Sequence, residues 1–186
     1  MCLRSFPRLM LLVALLAPPI GLTALAASLP QSGPSPTETG MDLNARSLSR
    51  QIHEDGAEAT VRTLDTHRAW PRLRRAVAAG WDGWIELVPD LIAHTDDATA
   101  RQLRTALRQA LPRNPHAVLS VLDPGNGPLL GAGALCTPHG MPVRWARDSM
   151  RAISAEHDIH LTHQVNDCLA ALSASTTATG KANSGT

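Results

Sequence analysis

The thirteen residues Glu156 to Cys168, E-H-D-I-H-L-T-H-Q-V-N-D-C, hold three histidines, three acidic residues and a cysteine. Imidazole, carboxylate and thiolate are the groups that ligate zinc or copper. The stretch is therefore either a metal site or the polar start of a helix. Wound as a helix at about 100° per residue, positions 159–172 place Val165, Cys168, Leu169 and Leu172 in one apolar arc. His160, His163 and Asp167 fall on nearly the opposite side. The cysteine is expected in the core and the histidines in solvent. A smaller metal candidate survives this split: His160, His163 and Asp167 share a face and can take a further ligand from His139 or His157. The ordinary reading of such a face is solvated helix surface, and neither metal nor cofactor is expected.

Cys168 has one natural partner. Once the first residues are removed as a signal segment, only Cys136 and Cys168 remain of the three cysteines. An even pair in an exported chain reads first as a disulfide, because the compartment oxidises thiols. Closing a loop of about 32 residues stabilises by roughly 3 to 4 kcal/mol in the chain-entropy model. Two other chemistries compete. Cys136-Thr137-Pro138-His139 has the C-x-x-H spacing of a zinc half-site, and Cys136 with His139 resembles a thiol–imidazole nucleophile pair. The second lacks an identifiable orienting Asn or Asp.

Arginines form the other pattern. Arg101, Arg104 and Arg108 repeat at i, i+3 and i+7, and Arg144, Arg147 and Arg151 repeat the same spacing. Two such stripes facing one way would hold an acidic protein surface or phosphate groups. Their plainer role is to cover the core edge with aliphatic stems. Trp81 and Trp84 are the aromatic candidates, either as a paired binding surface or as caps over the core, the latter favoured for Trp84. No G-x-S-x-G elbow, H-E-x-x-H or P-loop is present. The G-N-G-P-L-L-G within Asp123–Met141 fails as a phosphate loop because Pro128 and a second glycine pair stand where a helix must open. The chain is expected to be non-catalytic. A metal- or ligand-binding module, or a weakly marked hydrolase using His139, His157, His160 and His163, is the alternative.

The elements that must position these residues are helical. Arg4 and Arg8, the apolar run Leu9–Leu16 and Ala24-Leu25-Ala26 read as a cleavable signal over residues 1–27. Pro18, Pro19 and Gly21 interrupt the run short of a membrane span, so no transmembrane anchor is expected after cleavage. The chain carries 17 basic and 16 acidic residues. Losing Arg4 and Arg8 leaves 15 against 16, too neutral for nucleic acid as a partner. A Pro/Ser/Thr linker (28–41) and a Ser/Thr/Ala/Gly tail (173–186) are expected to be disordered. They bracket one domain, 42–172.

Within that domain Leu103, Ala106, Leu107, Ala110 and Leu111 recur at helical spacing, with Asp96 as cap and Pro112 as stop. Asn114-Pro115 opens the next helix. Pro71 begins one that ends at Gly80, Asp82 can cap a following one, and Pro89 must kink or restart it. Pro142 can open a helix burying Val143, Ala146, Met150 and Ile153. Leu43, Leu48 and Ile52, then Val61 and Leu64, suggest one or two more. The expectation is an all-α fold, a small bundle or short helix-pair stack of about five to seven helices, stapled by one disulfide. The functional expectation is a periplasmic or secreted bacterial protein that acts by binding another protein.

Overall fold

A computed structural model describes residues 43–183. The expected signal segment, the linker, Asp42 and the last three positions lie outside the described residues. Among those described, all regular structure is helical. Helix α1 (Ala45–Asp55) begins with a reciprocal cap: Asn44 Oδ1 accepts the Ser47 amide at 2.8 Å and the Asn44 amide donates to Ser47 Oγ at 3.4 Å. Gly56 alone joins α1 to α2 (Ala57–Thr66), at φ +87°, a value that a β-carbon disfavours. The two helices pack on each other through Leu48, Val61 and Leu64.

Helix α3 (Trp70–Ala78) carries Pro71 in its first turn and is tied to α2 by Trp70 Nε1 donating to Asp65 Oδ1 at 2.6 Å. It ends before Gly80, whose φ is +87°. Asp82 does not cap the next helix. Helix α4 (Asp82–Ile85) starts at Asp82 itself, because the carboxylate accepts the side-chain amide of Asn114 instead of the amides of its own turn. Pro89 then forces the expected restart, in the first turn of α5 (Val88–Ile92).

Helix α6 (Asp97–Ala110) is capped by Asp96, whose carboxylate accepts the amides of Ala98 and Thr99 and the Thr99 hydroxyl. The Thr99 hydroxyl and then its amide hold Asp96 below the usual carboxylate range. Asn114 caps α7 (Pro115–Ser120) through Oδ1, 3.2 Å from the Ala117 amide, while its Nδ2 donates to Gly80 O at 2.8 Å and to Asp82. One side chain thus fixes both the start of α7 and the α3–α4 joint.

The stretch Asp123–Met141, where Pro128 was expected to keep a helix from opening, instead holds a 3₁₀ turn (Pro124–Asn126), α8 (Gly127–Leu130) with Pro128 in its first turn, and α9 (Ala132–Leu135). Proline in a first turn suits helix entry, and buried Leu130 and Leu135 anchor the turns. Gly131 is required by crowding, since a β-carbon there would lie 2.6 Å from Gly127 Cα.

Helix α10 (Trp145–Ser154) begins three residues after Pro142, which leaves Val143 ahead of the helix. Trp145, Ala146, Ser149 and Ile153 point inward, whereas Val143, expected in the core, is fully exposed. A 3₁₀ turn (Ile159–Leu161) leads into α11 (Thr162–Asn183). The expected tail is therefore helical from Ser173 to Asn183. Low apolarity alone does not stop a helix that already has about three turns before Ser173, anchored by Cys168 and Leu172, and the Ser173 and Ser175 hydroxyls return to the carbonyls of Leu169 and Ala171.

Seven of the helices among the described residues have six or more residues; α4 and α5 are the expected helix divided at Pro89, and α8 and α9 are further short turns. Helix α3 packs most extensively on α6, and α11 reaches α10, α9 and α7. Packing that skips sequence neighbours in this way makes a bundle and not a stack of successive pairs. Its core runs through Leu64, Leu73, Ile85, Leu103, Leu107 and Leu119, each worth roughly 1.5–3 kcal/mol relative to exposure.

Candidate functional site

The residues of Glu156 to Cys168 part as the helical wheel requires. Cys168 is buried and bonded to Cys136, with the Cα atoms 5.2 Å apart. As a disulfide the pair supplies neither a zinc thiolate nor a nucleophile. Two of the three acidic residues are used in building the turn. Glu156 Oε1 accepts the amides of His157 (3.0 Å) and Asp158 (3.1 Å), its Oε2 lies 3.4 Å from His116 Nδ1, and Asp158 Oδ1 accepts the His160 amide at 2.8 Å. His160, His163 and Asp167 are exposed on the outer side. No three His, Cys, Asp or Glu side chains among the described residues come together in a metal-holding group, this trio included. His139 and His157 do not complete one.

The arginine stripes divide as well. Arg108 leaves its row to bind protein: Nη1 donates to His139 O at 2.7 Å and Nη2 to Thr105 Oγ1 at 3.3 Å. Burial, with Arg104 nearby, pulls its pKa below the ordinary arginine value. Arg101 is exposed and Arg104 half-buried on α6, and Arg147 and Arg151 are exposed on α10. Of the six, only Arg144 lines the cleft that gathers the most guanidinium groups.

That cleft, about 690 Å³, lies between α3, the end of α6 and the segment leading into α10. Its apolar lining includes Ala78, Met141, Pro142 and the largely buried Trp145. Trp145 is held in place by its Nε1, which donates to Arg108 O at 2.6 Å. Beside this lining stand Arg75 from α3, Arg113 from the α6–α7 joint and Arg144, with Asp148 one turn into α10. Arg113 is braced on Gln109 O at 2.6 Å and Ala78 O at 3.4 Å. Arg75 and Arg144 have no ion-pair partner among the described residues. Asp148 has only Arg147 beside it, at 3.5 Å.

A second groove of about 480 Å³ shares Arg75, Ala78 and Gln109 with the first and adds Arg74. At the other end, Pro142 and Arg144 continue into a patch with exposed Val143 and Arg147. Arg74, Arg75 and Arg113 went unremarked in the sequence pattern. The visible signal for Arg74 and Arg75 was the run Arg72-Leu73-Arg74-Arg75 on a short helix, but nothing local told which later segment, Arg113 included, would lie against it. The tryptophan pair does not form a platform: Trp84 is buried and Trp81 is 61% exposed.

The fold and cleft define an all-α, disulfide-stapled bundle with a basic surface groove. No protein-family model matches the chain, and no curated protein and no solved structure matches it. Among the described residues no helix is long and apolar enough to cross a membrane.

Proposed function

We propose that this is an exported bacterial protein that works by binding another protein, without catalysis, in an envelope-accessory or inhibitor-like role. The observation that carries the reading is the cleft. Three guanidinium groups line it beside apolar side chains, two of them without an ion-pair partner among the described residues, and such a surface gains by meeting carboxylates with an apolar contact between them. Arginine is also among the residue types that most often dominate binding energy. The buried disulfide supports an oxidising compartment, periplasmic or extracellular.

The test is capture of partners from envelope and culture fractions with the tagged mature chain. Arg75→Glu/Arg144→Glu is run beside Arg46→Glu, an exposed control outside this cleft. The expected result is a specific partner lost with the double variant and retained with the control. Equal recovery by all three chains would reject the cleft as the contact surface.

A further inference from the structure

We infer that the cleft takes an extended acidic segment of the partner with an apolar side chain among its carboxylates, an inference that rests on the cleft being the docking site. The rim sets the charge. Arg75, Arg113 and Arg144 present planar guanidinium forks, which match carboxylates two bonds at a time. The apolar lining sets the apolar element, since Ala78, Met141 and Pro142 offer surface beside the guanidinium groups that a purely charged ligand leaves uncovered. Length follows from continuity. The groove bearing Arg74 extends the cleft along α3 and α6, and the patch with Val143 and Arg147 extends it past α10. A single small anion would fill one part of such a surface; a peptide strand, with same-side residues about 7 Å apart, can span it.

The alternative elongated ligand is a phosphate polymer, and two features oppose it. Asp148 lines the same cleft and repels a uniformly charged chain, whereas a peptide can place an apolar or donor group beside it. The whole chain has a formal net charge of only +1, far from the dense positive field that drives polyanion binding by counterion release.

The experiment uses three probes on the oxidised mature chain, read by tryptophan fluorescence and calorimetry. The probes are a ten-residue peptide of alternating Glu and Leu, the same peptide with Gln for Glu, and inorganic polyphosphate. Saturable binding of the Glu peptide is expected. The Gln peptide should bind the wild type, and the Glu peptide should bind Arg75→Glu/Arg144→Glu, at least about fivefold more weakly, as two lost and reversed surface pairs imply. Arg75→Gln/Arg144→Gln, a milder pair, should fall on the same side of wild type, and Arg46→Glu should not change. Absence of saturable binding, a loss smaller than fivefold for the Gln peptide or the Glu variant, or tighter binding of polyphosphate than of the Glu peptide would overturn the inference. If partner capture depends on Arg75 and Arg144 while the peptide fails, the function stands and only the acidic-segment inference falls.

Discussion

Breaking the Cys136–Cys168 bond isolates the contribution of one covalent link to a helical bundle. The bond closes a loop of sequence separation 32 between two fully buried side chains. The chain-entropy relation gives a cost of about 12 cal/mol/K for that loop, or about 3.7 kcal/mol at room temperature. A domain of about 140 residues unfolds with an entropy near 0.3 kcal/mol/K, so the melting temperature should fall by about 13 °C. The assay is urea unfolding followed by tryptophan fluorescence, comparing oxidised wild type, reduced wild type and Cys136→Ala/Cys168→Ala. Reduced and oxidised chains have the same side-chain carbon skeleton and differ in the link, so their difference reads the loop term. The double variant adds whatever the buried sulfurs contribute to packing. Because the link acts on the unfolded chain, its removal should also raise the urea slope while the native spectra stay alike. A loss below about 1 kcal/mol with an unchanged slope would refute the loop-closure account. So would a large loss accompanied by altered native spectra, since that would place the effect in the folded state.

Three further outcomes follow from single side chains. Asn114→Ser keeps an oxygen to cap α7 but loses the amide that holds Gly80 O and Asp82; urea melts should show about 1–2 kcal/mol of destabilisation. Ser149 is fully buried with no hydrogen-bond partner for its hydroxyl, so Ser149→Ala should leave stability unchanged or raise it by about 1 kcal/mol, checked by thermal melting. Asp96→Ala should destabilise at neutral pH by removing the α6 cap. Because the folded-state pKa of Asp96 lies below the ordinary carboxylate value of 3.8, the stabilisation is present above that value. It is lost as pH falls through the lowered pKa. Wild type and variant should therefore converge in acid melts, and a gap that persists at low pH would point to a cause other than the carboxylate.

The parts of this fold that sequence made legible are those with local causes. Asp96, Asn114-Pro115, Pro71 with Gly80, and Pro89 each act on a neighbouring backbone group, and each stands where its spacing predicts. Cys168 separated from His160 and His163 because helical geometry alone decides that question. What failed was decided at longer range. Asp82 lost its capping role to Asn114, 32 residues away. Val143 left the core because α10 starts at Trp145, whose indole reaches back to α6. The tail stayed helical because α11 was already anchored by Cys168 and Leu172, a cooperative effect that composition does not register. The same distinction explains the site. Stripes on one helix were visible, but the cleft is made of Arg75, Arg113 and Arg144 from three separate segments.

The staple and the cleft meet in one stretch of chain. Residues 136 to 145 are tied to α11 at one end by the disulfide and to α6 at the other by Trp145 Nε1 on Arg108 O. Between those ends Arg108 Nη1 grips His139 O, just before Gly140, whose φ of +74° lets the chain turn. This stretch has no helix after Leu135 to hold it straight, yet it carries Met141, Pro142 and Arg144, one wall of the cleft. Arg108 is thus withdrawn from the surface stripe to serve as a brace, partly desolvated and with its Nε unpartnered. A desolvated cation is costly unless its protons are hydrogen-bonded, as Nη1 and Nη2 are here to His139 O and Thr105 Oγ1. What the brace fixes is the position of a neighbouring, solvated arginine. The disulfide that first drew notice as part of a ligand-like cluster thus ties to α11 the segment that carries Arg144, while Trp145 ties it to α6.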